Sequence, residues 1–151
     1  MIPNGTGERV DVTNRQRRLK INTRRLAEIA ERALELVGDK QLHLGIVLVD
    51  DAAIAKLNAR YHDTPGATDI LSFDYGDEQG ELIISVEHAV AQAKRYHTTP
   101  ARELILYVMH GILHLHGYND RTPRQRRRMR AAERRLVSQL CNQFELKGLI
   151  S

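Results

Sequence analysis

Between Leu104 and His116 the chain reads LILYVMHGILHLH, a segment that is apolar nearly all the way round a helical wheel. A helix of that kind has no face to offer water, so it must be the buried centre of its fold, with other elements packed around it. The 151 residues suffice for one such domain. A chain this long buries roughly two thirds of the surface it exposes when unfolded, so it needs no disulfide or structural metal to stay folded. Its single cysteine, Cys141, has no internal partner. Any metal in such a chain would serve function.

The flanking patterns predict what surrounds that helix. Met1 to Gly7 is polar and carries Pro3, Gly5 and Gly7, so residues 1–8 read as a loose terminus to a single domain spanning 1–151. Val10 and Val12 alternate with polar residues and suggest a short strand. Asn22 caps a helix with Leu26, Ile29, Ala30, Ala33, Leu36 and Val37 at helical spacing, and Gly38 follows its end. Leu42 to Val49 reads as a buried strand. Asp50 or Asp51 then caps a second helix bearing Ile54, Leu57 and Tyr61, and His62 to Thr68, with Pro65 and Gly66, reads as a loop. Asp69 to Tyr75 and Glu81 to Val86 read as antiparallel strands joined by the short Gly76 to Gly80 connection. Helical patterns follow over Val86 to Tyr96 and, after Thr98-Thr99-Pro100, over Ala101 to His116. Gly117 ends that helix. Thr122-Pro123 opens a last helix whose apolar side is Met129, Ala132, Leu136, Leu140 and Phe144. The expected architecture is α+β, a small mixed sheet of about four strands with helices packed on it and the His-bearing helix in a zincin-like cleft.

The chemistry concentrates on that helix. His110 and His114 lie four residues apart and project from one side. If the helix is buried, both imidazoles need partners, because a buried polar group left unsatisfied is costly. A metal ion would supply one, and two helical histidines at this spacing are a standard half of a zinc site. Gly117 lets the chain turn back, and Asp120 follows with a carboxylate, giving His-x3-His-x2-Gly-x2-Asp. Three protein ligands leave a position for water, the layout of a catalytic zinc site. The expected cofactor is therefore one zinc ion, with no small-molecule cofactor. The same residues also admit a plainer reading, in which the two histidines bond to backbone and Asp120 caps the next helix. His43, His88, His97 and His116 lack a partner pattern and read as surface or edge histidines.

Charge points to a partner. The net charge is +4, but between Arg121 and Arg135 there are eight arginines and one acid. Such a patch is the electrostatic footprint of a nucleic-acid-binding protein, although an Arg-rich helix can equally be a solvated face. Met1 to Val10 has no apolar run of the kind a secretory signal carries, and Leu44 to Val49 and Leu104 to Met109 fall far short of the ~20 residues that span a bilayer. A cytoplasmic protein with no membrane partner is expected.

Two segments resemble the YbeY family of endoribonucleases, metal-dependent factors of ribosomal RNA maturation. His110 to Tyr118 (HGILHLHGY) is similar to the family's HGxLHLxGY signature, and Thr68 to Phe73 (TDILSF) to its TDVLSF segment. Gly80 to Ser85 and the Leu57-Asn58…Tyr61 stretch match in the same order. This chain has Asn119-Asp120 where the family has Asp-His, so Asp120 stands in the place of the third zinc-binding imidazole. The added negative charge would make a bound water less acidic. His62 follows Tyr61 where the family carries an arginine that engages RNA phosphate, and Arg60 next door is the alternative. The resemblance implies single-stranded RNA as substrate, maturation of the 3′ end of 16S ribosomal RNA, ribosome quality control, and the small ribosomal subunit with its assembly factors as partners. In this reading His62 and Asp69 take catalytic roles, Asp69 orienting water or a ligand unless it is a structural contact at the strand's head. Arg60, Arg124, Arg127 and Arg134 contact the RNA backbone. Two rivals follow from the same residues. A zincin peptidase needs the glutamate of HExxH, and that position here is Gly111. A non-catalytic RNA-binding assembly factor would keep the scaffold without the chemistry.

Overall fold

The computed structural model describes residues 5–6, 9–62 and 70–151, with side chains for 9–60 and 70–151. The elements in chain order are β1 (Gly5–Thr6), β2 (Val10–Asn14), α1 (Thr23–Leu36), β3 (His43–Val49), α2 (Asp51–His62), β4 (Ile70–Gly76), β5 (Gln79–Ser85), α3 (Val86–Tyr96), α4 (Pro100–Leu115) and α5 (Pro123–Gln143). The sheet order is β1-β2-β3-β5-β4. Strands β2, β3 and β5 run parallel, and β4 pairs antiparallel with β5. The α+β architecture is as expected, with one correction at the terminus: Gly5 and Thr6 pair antiparallel with Val12 and Asp11, adding a two-residue edge to the four longer strands.

Strand periodicity decides which face carries the larger core. Residues alternate sides along a strand, and the register aligns Val12, Ile46 and Leu82 in one row across the sheet. These side chains, with Val10, Leu44, Leu48 and Ile84, face the main core together with α1, α4 and α5. The intervening residues Val49, Leu71 and Ile83 face the other way and bury Ile54 of α2 in a second, smaller core. Helix α2 starts where the Asp50 carboxylate accepts a hydrogen bond from the Ala53 amide at 2.8 Å. In α1, Leu26, Ile29, Ala30, Ala33 and Leu34 are fully buried, and the Asn22 side chain accepts from the Arg25 amide at 3.0 Å.

Between β4 and β5 the turn is tighter than the Gly76 to Gly80 span suggests. Gly76 pairs directly with Gln79, so Asp77 and Glu78 form a two-residue loop, with φ of 49° and 61°. Positive φ at both central positions is the type I′ geometry that matches the twist of paired strands.

Helix α4 is the centre the sequence calls for. Leu104, Ile105, Val108, Met109 and Ile112 are fully buried, and α1, α3, α5 and the sheet all pack on it. The contact is closest at Gly111, where an added Cβ would come within 2.6 Å of Leu82 Cδ2 and 2.7 Å of Ile70 Cδ1. The far end of α4 is tied down by His116. Its Nδ1 donates to the Ile112 carbonyl at 2.7 Å, and its Nε2 meets Asp39 Oδ2 at 2.6 Å. Burial pushes the Asp39 carboxyl up, but the Gln41 and Leu42 amides and His116 pull it further down, leaving it below its usual value.

Two outcomes are expected. Gly111→Ala should destabilise the protein by about 1–3 kcal/mol through overpacking, lowering the thermal midpoint by about 2–10 °C in calorimetry. For Asp39 the folded value is depressed, so its contribution is present above the unfolded value and is lost as pH falls through the folded one. Asp39→Asn should lack that contribution at neutral pH, and its urea midpoint should change less between pH 5 and pH 2 than that of the parent.

Candidate functional site

Helices α4 and α5 pack along one another, and the groove between them holds three of the sequence-predicted residues, His110, Asp120 and Arg134. Their contact is set by the buried stripe of α5, Met129, Ala132, Leu136, Val137 and Leu140. Helix α5 begins at Thr122, which forms a full capping box with Gln125. Thr122 therefore does the capping that the plainer reading gives to Asp120.

On the groove floor, His110 donates from Nδ1 to the Glu133 carboxylate across the helix pair. The two side chains are 35% and 14% exposed. Glu133 fixes the ring's orientation, an arrangement common for imidazoles that ligate a metal through the other nitrogen. His110 and Asp120 line one cavity of about 150 Å3, whose other walls include Arg126, Arg130 and Glu133. Arg126 bridges it, with Nη1 donating to the Asp120 carbonyl at 3.0 Å. In a separate cavity, the Arg128 guanidinium lies 5.2 Å from the centre of the Tyr118 ring, within cation–π range.

His114 departs from expectation. It is exposed, because it shares the open side of α4 with His110, while Leu113 and Leu115 keep the helix's other side on the core up to Gly117, where the chain reverses at φ +91°. The desolvation cost that would demand a ligand on a buried His114 is therefore absent. His114 stands one turn beyond His110 on the same helix but does not line the cavity shared by His110 and Asp120. Among the described residues, no group of three His, Cys, Asp or Glu side chains is close enough to hold a metal ion. Asp69 lies outside the described residues, and His62 ends α2 with its side chain outside them. Arg60 is exposed on α2, and Arg124 and Arg127 are exposed on α5. Arg134 lines a second cavity further along the groove. Among the described residues, no helix is long and apolar enough to cross a membrane.

Sequence reasoning missed Glu133, Arg126 and Arg130. A signal for Glu133 was present. It is the only acid among the eight arginines of residues 121–135, and it sits four residues after Met129 and three before Leu136, on the core-facing stripe. A lone carboxylate so placed needs a cationic or donor partner on the neighbouring helix.

Comparison with known proteins identifies the family. A family model for Endoribonuclease YbeY matches residues 11–141. The chain belongs to the YbeY family. An Endoribonuclease YbeY from Symbiobacterium thermophilum is 35% identical over 131 residues, covering 76% of this chain and 84% of that protein. One from Geobacter sulfurreducens is 33% identical over 145 residues, with 89% and 97% covered. A Myxococcus xanthus member is 39% identical over 115 residues, 70% of this chain, and the chain spans 38% of its length. A solution structure from Thermotoga maritima has the same fold, with a TM-score of 0.61 over 89% of both chains at 23% identity. YbeY proteins are named as endoribonucleases, hydrolases acting on RNA. Gly111 also disposes of the peptidase rival: the position of the catalytic glutamate lies against Leu82 and Ile70, where even a Cβ does not fit.

Removing the groove's central pair should be measurable in the fold. Glu133→Ala should cost about 1–2 kcal/mol in urea unfolding, the scale of a hydrogen bond to a charged group. Arg127→Ala, away from the groove, should fall within about 0.5 kcal/mol of the parent.

Proposed function

We propose that this chain is a metal-dependent endoribonuclease that cuts single-stranded RNA, acting in the cytoplasm on the 3′ end of 16S ribosomal RNA and in ribosome quality control. Its partners in this reading are the small ribosomal subunit and its assembly factors. The observation that carries the proposal is the cavity shared by His110 and Asp120, which falls within the family match and is edged by Arg126 and Arg130.

His110, His114 and Asp120 are the residues that would hold one zinc ion. Two imidazoles one helical turn apart and a carboxylate are a donor set of the right kind. The helix-bound histidine pair and the orientation of His110 by Glu133 favour this assignment. Zinc held there would supply Lewis acidity that offsets the charge growing on the phosphoryl oxygens. The protein's own part is positional. Glu133 keeps the His110 ring from turning, and Arg126 and Arg130 present guanidinium donors at the rim, where a phosphate would meet them. Arg124, Arg127 and Arg134 extend the positive face along α5 toward the RNA backbone, and Arg60 does so from α2. His62 and Asp69 are proposed to act on the substrate phosphate and on water, respectively.

Two observations favour a second reading, a non-catalytic RNA-binding assembly factor. The described residues bring no three metal-ligating side chains together, and Asp120 replaces the family's third histidine. Elemental analysis of untagged protein beside a His110→Ala/His114→Ala variant, with cleavage of a single-stranded RNA by parent and His114→Ala, separates the two. The enzyme reading expects near one equivalent of metal in the parent and almost none in the double variant. It also expects cleavage to fall by on the order of 100-fold or more in His114→Ala. Equal background cleavage in both proteins, with RNA still bound, selects the assembly factor.

A further inference from the structure

Past Glu133 the groove continues into a second cavity of about 240 Å3, and Arg130 and Glu133 line both. Three guanidinium groups converge there: Arg102 from the first turn of α4, and Arg130 and Arg134 from α5. A single Arg-rich helix can be a solvated face, but this cluster is assembled by the packing of two helices and is walled by Leu106 and Val137. The cavity also contains two carboxylates, both already engaged. Glu133 accepts from His110, and Glu103, 6% exposed, accepts from the Thr98 hydroxyl at 2.7 Å. Neither Arg130 nor Arg134 forms a hydrogen bond or ion pair with a described residue, and Arg102 reaches the Cys141 thiol, which leaves most of its five donors unused. Three positive charges thus face two negative ones, and the unused donors are planar forks suited to a tetrahedral oxyanion.

We propose that Arg102, Arg130 and Arg134 form a phosphate-binding subsite that holds the backbone of single-stranded RNA beside the His110–Asp120 cavity. The inference rests on the endoribonuclease reading and gives it a direction, with the strand running along the α4–α5 groove. Continuity argues for a polymer, because a strand spanning two adjoining cavities can place one phosphate in each. Arg130, at the shared wall, is within reach of both. The subsite acts through backbone charge and carries no base preference.

The test is equilibrium binding of a fluorescein-labelled single-stranded oligoribonucleotide to the full chain across a salt series. An Arg102→Ala/Arg134→Ala variant is compared with Arg17→Ala/Arg24→Ala, which removes the same charge from exposed positions outside the groove. The groove variant should bind at least about tenfold more weakly, as expected when charge-assisted hydrogen bonds are removed. Its log-affinity against log-salt slope should shrink by about 0.7 for each phosphate that is no longer neutralised. The control should stay within about twofold. An Arg102→Lys/Arg134→Lys variant keeps the charge without the fork and covers the case in which the alanine variant fails to fold; its affinity should fall between the two. Equal weakening in the groove and control variants overturns the subsite while leaving RNA as the ligand. A parent that binds no single-stranded RNA overturns both the subsite and the endoribonuclease reading.

Discussion

Everything in this molecule depends on α4 lying in direct contact with the sheet at Gly111. A helix bearing any side chain at that point would stand off from Leu82 and Ile70. With glycine there the helix sinks onto β4 and β5, and its other sides become available to α1, α3 and α5. The contact also fixes the level at which His110 emerges, one residue before the point of closest approach. His110 therefore opens into the α4–α5 groove, where Glu133 can reach it, instead of into the sheet. A core-packing requirement and a chemical one are met by adjacent residues.

Much of this is legible in the sequence, and what is not has identifiable causes. Helix α1 is readable because its Asn22 cap, apolar spacing and terminal Gly38 all agree. The register of the β4–β5 hairpin is less so, since Asp77 and Glu78 take left-handed backbone conformations that glycine usually supplies, while Gly76 and Gly80 suggest a longer loop. The central position of α4 follows from its apolar circumference, but that argument averages over the whole helix and overlooks its ends. On that average His114 shares the burial of its neighbours, although it lies with His110 on the side of the helix that opens to solvent. The pairing of Gly5 and Thr6 with β2 depends on a partner strand's open edge, which composition does not register.

At the site, local spacing finds His110 and Asp120, and tertiary packing supplies their surroundings. Arg102 and Arg134 are far apart in sequence and line one cavity only because two helices lie side by side. The arginines of the last helix therefore do not share one environment. Arg124 and Arg127 lie outside the groove, whereas Arg130 and Arg134 edge it. Two carboxylates among these three cations moderate the local field without cancelling it, and Glu103 and Glu133 direct acceptor oxygens to Thr98 and His110. Such an arrangement keeps guanidinium donors available while limiting their mutual repulsion.

The sheet's two faces are unequal, and that inequality has a kinetic meaning. One face supports the large core under α1, α4 and α5. The other buries Val49, Ile54, Leu71 and Ile83 beneath α2. Proteins open in cooperative units whose cost scales with the apolar contacts each unit breaks. Helix α2 is held by a smaller core than α1, α4 and α5, so its release breaks fewer apolar contacts and leaves the α4–α5 groove intact. Such an opening would leave His110, Glu133 and the groove arginines in place while displacing Arg60 and His62, which stand on α2.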